Sequence, residues 1–426
     1  MNKTISIEPL ARVEGHGGIE VVIKNRKVRE VRVQIFEGPR LMEQITRGKT
    51  PDEAVSITSR ICAICFASHR LADIRAHEDA MKIRPEEKTR LLRKLCHYGE
   101  IIESNALHYY LLAMPDYLGF PDAVTMMGKY RGLVKGGLEL KKFGNAIMEC
   151  VAGRRVHGEN MRIGGFGRVP AREDLNRLKN TARELIPAIG EGLDAWPGIE
   201  IPEYCERDTV FMSVAPTDSE YSFASDRIMV SDGVEFAAGK YPAHIQERVV
   251  PHSYAKHCRY RENSYTVGAL ARMINSGQLL TGTAGDYFSR YYNDRWKKNP
   301  HFNNIAQAIE ILFCLETIPS LVDRILAVDE KETAPGKDSG EGTGVVEAPR
   351  GMLIHHYELD QGKVKTADFV IPTNQNLYDM ERYLEVTAQN LLDAGQLPLE
   401  LPLEMVVRAY DPCISCSVHM VRIRNL

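Results

Sequence analysis

Hydrophobic and polar residues alternate near the start of the chain. Ile19, Val21 and Ile23 fall on one side, and after the polar Lys24-Asn25-Arg26-Lys27 the pattern resumes with Val31, Val33 and Ile35 opposed by Glu30, Arg32 and Gln34. A two-residue period interrupted by a short polar turn predicts a β-hairpin over roughly the first forty residues. From Arg84 the period lengthens: Leu91, Leu92, Leu95, Ile102 and Leu107 recur mostly at helical spacing up to Pro115. That spacing predicts a helix ending at Met114. Further helices are predicted over 122–151, 172–193 and 304–328, and apolar-striped helices of this length predict a buried bundle as scaffold. Two stretches break the pattern. Gly153–Gly167 is too rich in glycine for a helix and lacks the spacing of a phosphate-binding loop, so it reads as a shaped loop. Asp329–Gly344 (DEKETAPGKDSGEGTG) has the composition of a solvated loop. The expected architecture is a large single α+β body, predominantly helical, without internal repeats. It divides into a β-rich part over 1–50, a helical body over 51–328, a loop over 329–344 and a C-terminal part over 345–426.

Composition narrows the function classes. A chain of 426 residues with 44% hydrophobic residues can bury a substantial core. Lys plus Arg number 54 against 57 Asp plus Glu, a net charge of -3, so no broad basic field is available for nucleic acid. No run of about 18 apolar residues occurs, and the start, MNKTISIEPLARVEGHGG, has neither an apolar signal core nor a twin-arginine motif. The expectation is a cytoplasmic protein with no direct membrane span. Nine cysteines, an odd number, predict reduced thiols and direct attention to thiolate chemistry.

Two Cys-x-x-Cys pairs stand near opposite ends of the chain. Cys62 and Cys65 lie in Ser59-Arg-Ile-Cys-Ala-Ile-Cys, and Cys413 and Cys416 in Tyr410-Asp-Pro-Cys-Ile-Ser-Cys-Ser-Val-His419. This spacing lets two thiolates converge on one soft metal or poises a dithiol for exchange. A structural zinc site or a redox disulfide would use the same spacing. A zinc ribbon, however, usually closes over about 15–20 residues, whereas these pairs are separated by most of the chain. Thiolates drawn from both ends of a large body suit a metal centre buried at its middle. Cys96, Cys150, Cys205, Cys258 and Cys314 are scattered without pair spacing and read as buried small hydrophobes.

At these motifs the sequence resembles a known family. Arg40-Leu-Met-Glu43, followed after fifteen residues by Ser59-Arg-Ile-Cys-Ala-Ile-Cys65, is similar to the N-terminal signature of nickel-iron hydrogenase large subunits, and Tyr410–His419 resembles their C-terminal signature. Arg12-Val-Glu-Gly-His16, Gly153-Arg-Arg-Val-His157 with Ile163-Gly-Gly165, Glu347-Ala-Pro-Arg-Gly351 and Val370-Ile-Pro-Thr-Asn374 also look like the family, in the same order. The chain departs from the usual pattern at Leu41 and Ala63, where glycine is common, and at Ser104, where many members have aspartate.

The resemblance implies a role for each residue. Cys65 and Cys416 would bridge nickel and iron, and Cys62 and Cys413 would bind nickel alone, with cyanide and carbon monoxide on the iron. Heterolytic cleavage of H2 needs soft metal ligation beside a base, and a terminal thiolate can itself take the proton. Glu14 would receive it from Cys413; the alternative is a local ion pair with Arg12. Arg350 would hold its guanidinium over the open face of the metals. Pro349, Arg350 and Thr373 would enclose or hydrogen-bond the cyanides, and His69 would hydrogen-bond a bridging sulfur. Glu43 rather than Glu37 would join His419 and water at a magnesium ion. His16, His108 and His157 are expected to be structural.

No further cysteine quartet is available for an iron-sulfur cluster in this chain. Electrons would leave through an iron-sulfur small subunit and further flavin or iron-sulfur subunits to NAD(P), ferredoxin or a similar acceptor, as in the soluble bidirectional group. Two rivals remain at this stage, a quinone-binding electron-transfer relative and a zinc scaffold. Seven residues, Met420–Leu426, follow His419, a tail expected to belong to the mature form.

Overall fold

The computed structural model describes residues 3–217, 220–329, 331 and 333–418. The predicted hairpin is present as β2 (Gly17–Lys24) and β3 (Lys27–Ile35), with β1 (Lys3–Ile7) added antiparallel on its free edge. Two short helices, α1 (Met42–Thr46) and α2 (Pro51–Thr58), lead to the first cysteine pair; Thr50 and Glu53 form a capping box that starts α2. Then come α3 (Phe66–Met81) and α4 (Glu87–Ala106). The helix predicted to stop at Met114 continues through a π-helical turn, Leu107–Ala113, into α5 (Met114–Tyr117). Pro115 lies in the first turn of that last piece, where a missing N–H costs little.

The 122–151 helix is two pieces, α6 (Ala123–Met126) and α7 (Arg131–Ala152). The glycine-rich loop carries a small hairpin, β4 (Met161–Arg162) and β5 (Gly165–Phe166), before α8 (Arg172–Asp194). The stretch expected to be helical up to residue 328 then turns to strand. β6 (Val210–Val214), β7 (Arg227–Val230) and β8 (Glu235–Ala237) form an antiparallel meander, and β9 (Ile245–Arg248) and β10 (His257–Tyr260) form a hairpin. β11 (Tyr265–Thr266) joins β6 in parallel. Helices resume with α9 (Ala269–Ser276), α10 (Gly282–Tyr291) and α11 (Phe302–Ala327). The C-terminal sheet is β12 (Gly340–Ala348), β13 (Gly351–Asp360) and β14 (Lys363–Val370), all antiparallel. It is followed by α12 (Pro372–Asp393), α13 (Glu400–Ala409) and the one-turn α14 (Ile414–Ser417). β12 thus begins inside the segment expected to be loop.

The core explains this order. α4, α7, α8 and α11 pack as a bundle through Leu92, Leu95, Ile101, Ile147, Ile189, Ile309 and their neighbours. α4 and α7 cross at glycines: a methyl group on Gly144 would lie 2.6 Å from the Glu103 amide nitrogen, so only glycine permits the approach. α11 is buried over most of its length, with a mean hydropathy of 1.6 over 18 residues. It is the single described helix long and apolar enough to cross a membrane, but 72% of that stretch is buried inside the protein, as expected of a central core helix. A second core joins the chain ends. Ile19, Val21, Val31 and Val33 of the N-terminal sheet face Leu377, Met380, Leu384 and Val406 of α12 and α13, which carries the second cysteine pair towards the first.

Candidate metal centre

Cys62 and Cys65 lie in the turn between α2 and α3, Cys65 being the residue that begins α3, and Cys413 stands at the start of α14 with Cys416 inside it. Burial of both flanking cores brings the turns together. Sγ of Cys62 is 3.5 Å from that of Cys413, Cys65 is 3.3 Å from Cys416, and Cys413 is 2.7 Å from Cys416. All four sulfurs are buried and lie within 4.8 Å of one another, with no disulfide among them. Thiolates at about 2.3 Å around a tetrahedral ion would be about 3.8 Å apart, so the set fits a soft metal centre. Charge supports the same conclusion. Donation from the Cys413, Cys416 and Cys65 thiols holds Cys62 well below the usual thiol range, while burial pushes Cys413 and Cys416 well above it. Four thiolates together therefore require cationic charge among them.

The polar residues around the sulfurs are arranged from both chain ends. The Cys413 thiol donates to Oε2 of Glu14 at 3.2 Å, the Ser415 amide donates to the same oxygen at 3.0 Å, and the Ser415 hydroxyl donates to Oε1. Backbone fixes the pair as well: the Ile414 N–H donates to the Glu14 carbonyl at 2.9 Å. Arg12 does not take the carboxylate; it pairs with Asp116 and donates to the Leu112 carbonyl at 2.8 Å. Arg350 leaves the turn between β12 and β13, its Nη1 donating to the Ser104 hydroxyl at 3.1 Å and its Nη2 3.1 Å from Asp411. Burial opposes the guanidinium charge, but Asp411 and the thiols outweigh it and push the pKa upward. Asp411 thus supplies the negative partner that Ser104 does not. Behind this turn Arg272 donates to the Ala348 and Pro349 carbonyls, each at 3.2 Å, and is itself held by Glu310 and Glu347.

Thr373, in the first turn of α12, accepts the Cys413 N–H at 3.0 Å, which leaves its hydroxyl proton free to donate elsewhere. Nδ1 of His69 is 3.2 Å from Nε2 of His355, so one ring nitrogen meets an imidazole. Glu43 is buried and accepts the Phe369 N–H at 3.0 Å; burial pushes it up to about 8, against the lowering effect of Lys256. Glu37 instead meets the exposed His16, 3.2 Å away. His108 is bonded to the Gln307 side chain and the Arg408 carbonyl, and His157 to the Ser59 carbonyl. His419 and the tail lie outside the described residues.

Sequence reasoning gave no role to three residues that the geometry brings in: Asp411, Ser415 and Arg40. Arg40 donates its amide to the Val418 carbonyl at 2.8 Å and its guanidinium to the Ile61 carbonyl at 2.7 Å and to the Ser415 carbonyl. It therefore ties the two cysteine turns to each other.

The profile described as nickel-dependent hydrogenase matches residues 40–130 and 217–419. The chain belongs to this family. A second profile, described as HoxL-like, matches residues 4–37. The chain is 39% identical over 422 residues to sulfhydrogenase 1 subunit alpha of Pyrococcus furiosus, covering 98% of each chain. It is 40% identical to sulfhydrogenase 2 subunit alpha of the same organism, over 98% of this chain and 100% of the relative. Among solved structures, an NAD+-reducing [NiFe]-hydrogenase in the H2-reduced state superposes with a TM-score of 0.90 at 28% identity, covering 98% of this chain and 99% of that one. This protein is a nickel-iron hydrogenase catalytic subunit with the family's α+β single-body fold.

Proposed function

We propose that Cys62, Cys65, Cys413 and Cys416 hold the nickel-iron centre, Cys65 and Cys416 bridging the metals and Cys62 and Cys413 binding nickel alone, with cyanide and carbon monoxide on the iron. When bound, that group supplies the soft, electron-accepting metals at which H2 is split into protons and electrons. The convergence of the four sulfurs is the observation that carries this reading. Cys413 holds the first proton on its sulfur and passes it to Oε2 of Glu14. Cys413 is 2% exposed and Glu14 half-buried, so this step moves the proton outward. Arg350, oriented by Ser104 and Asp411, keeps a fixed cation beside the thiolates without ligating. In this reading Pro349, Arg350 and Thr373 would enclose or hydrogen-bond the cyanides, and His69 would hydrogen-bond a bridging sulfur.

Glu43 with His419 and water binds magnesium in the same reading; a buried carboxyl pushed towards neutrality is drawn back to its charged form by a neighbouring cation. Electrons leave through an iron-sulfur small subunit and further flavin or iron-sulfur subunits to NAD(P), ferredoxin or a similar acceptor. The proposed location is the cytoplasm. Metal analysis and infrared spectroscopy of the purified protein test the assignment. Nickel and iron in equal amounts, with bands from iron-bound cyanide and carbon monoxide, are expected. Zinc alone would instead make the centre a scaffold.

A further inference from the structure

A second group of metal-binding side chains lies away from the cysteines. His252, on the loop joining β9 to β10, His257 at the start of β10 and Glu381 on α12 present ligand atoms within 4.8 Å of one another. Nε2 of His252 is 2.8 Å from Oε1 of Glu381, and Nδ1 of His257 is 3.6 Å from Oε2. The two rings meet edge to face with centroids 5.4 Å apart, so their nitrogens approach one carboxylate from different directions. We propose that His252, His257 and Glu381 form a site for one zinc-like divalent cation, distinct from the hydrogen-splitting centre.

Donor chemistry and geometry both support it. Two imidazoles and a carboxylate are the donor set that zinc takes at sites with three protein ligands and an open fourth position. Donors about 2.0–2.1 Å from a tetrahedral ion are about 3.4 Å apart, and the two observed separations bracket that value. The His252 side chain is 17% exposed, which gives the fourth position a route to solvent. Glu381 also accepts the Val33 N–H at 2.9 Å; its carboxylate is thereby fixed to β3. The cation would staple the β9–β10 loop, α12 and the N-terminal sheet together.

The competing explanation is two imidazoles hydrogen-bonded to one carboxylate with no ion, and the experiment separates the two. The holoenzyme, its cysteine centre filled, is equilibrated with Zn2+ in the presence of Mg2+, desalted, and its zinc measured together with nickel and iron. Wild type is expected to retain one zinc per chain, and His252→Gln and His257→Gln to lose it with nickel and iron unchanged. Zinc should also raise the melting temperature of wild type and not of the variants. X-ray absorption on the wild-type protein keeps the test independent of how the variants fold. A first shell of nitrogen and oxygen only is expected; sulfur at about 2.3 Å would assign the zinc to cysteines and overturn the site. No retained zinc in wild type, or equal zinc in all three proteins, would also overturn it.

Discussion

Glu14 is anchored by Ser415 from two directions and by backbone to Ile414, so Glu14→Gln should keep its position and lose only the protonatable oxygen. Hydrogen-deuterium exchange by the purified enzyme should fall about 10²–10⁴-fold, the usual contribution of a positioned acid–base group, with the infrared bands of the centre unmoved. Unchanged exchange would direct the proton through another group. Arg350→Lys removes a planar fork that reaches Ser104 and Asp411 together; an ammonium can follow Asp411 but cannot hold both in one geometry. Turnover should drop at least about tenfold with metal content retained, and wild-type turnover in Arg350→Lys would reduce that residue to a structural one. The cysteines, Glu14 and Arg350 were legible because the motifs around them carry the chemistry in linear order. Asp411 and Ser415 were not, although both lie inside the C-terminal signature. Spacing says nothing about which member of a tight turn faces inward, and Asp411 reaches Arg350 from a backbone with φ of 49°. His69 lies on α3 at the helical offset from Cys65 that the spacing predicts, while its Nδ1 neighbour His355 is distant in sequence and no spacing points to it.

β12 lies directly on α3, and the glycines that made Asp329–Gly344 look like a solvated loop are what permits the contact. A methyl group at Gly344 would penetrate the Ala72 carbonyl oxygen and come within 2.6 Å of the Ala76 nitrogen, and Gly342 meets the Ala76 and Ala80 backbone in the same way. Gly344→Ala should therefore destabilise the protein by about 3 kcal/mol, the upper end of overpacking costs, because backbone on both sides cannot yield. α3 begins at Cys65 and β12 ends next to Arg350, so nickel occupancy should fall with the melting temperature. Gly165→Ala is the control: nothing lies within 4 Å of its added carbon, and its effect should stay within about 0.5 kcal/mol. Equal melting temperatures for the two variants would mean that the strand can lift from the helix without cost. Composition cannot distinguish a glycine that frees a loop from one that admits a helix backbone. The strands between 210 and 266 were missed for another reason. Val210–Val214 is buried at four of its five positions, so it shows no alternation, and its length is too short to separate strand from helix. The long helices were legible because α7 and α8 each keep one apolar stripe over many turns.

At the scale of the molecule the chain closes on itself at the metal centre. The N-terminal sheet packs on α12 and α13, Thr373 accepts the Cys413 amide, Arg40 holds Ser415 and Val418, and Asn303 of α11 donates to the Ala409 carbonyl at 2.9 Å. Much of the closure is thus made by packing and hydrogen bonds before any metal is counted. The metals add links between residues 351 apart in sequence, and in a chain-entropy description a link over so long a loop is worth up to about 6 kcal/mol. That stabilisation acts where the links are. α4, α7, α8 and α11 bury their own core and contain none of the four cysteines, so loss of the metals should open the closure locally and leave the bundle closed. The Cys413→Ser, Cys416→Ser double variant, compared with the loaded wild type by amide hydrogen exchange, tests this. Residues 410–418 should exchange at least about tenfold faster, and residues 59–65 and 11–16 with them, because Arg40 and Glu14 connect all three. Protection in the four bundle helices should be unchanged. Loss of protection throughout would mean that the bundle depends on the metals to fold; no change at 410–418 would mean that Thr373, Arg40 and Glu14 suffice to hold the closure without them.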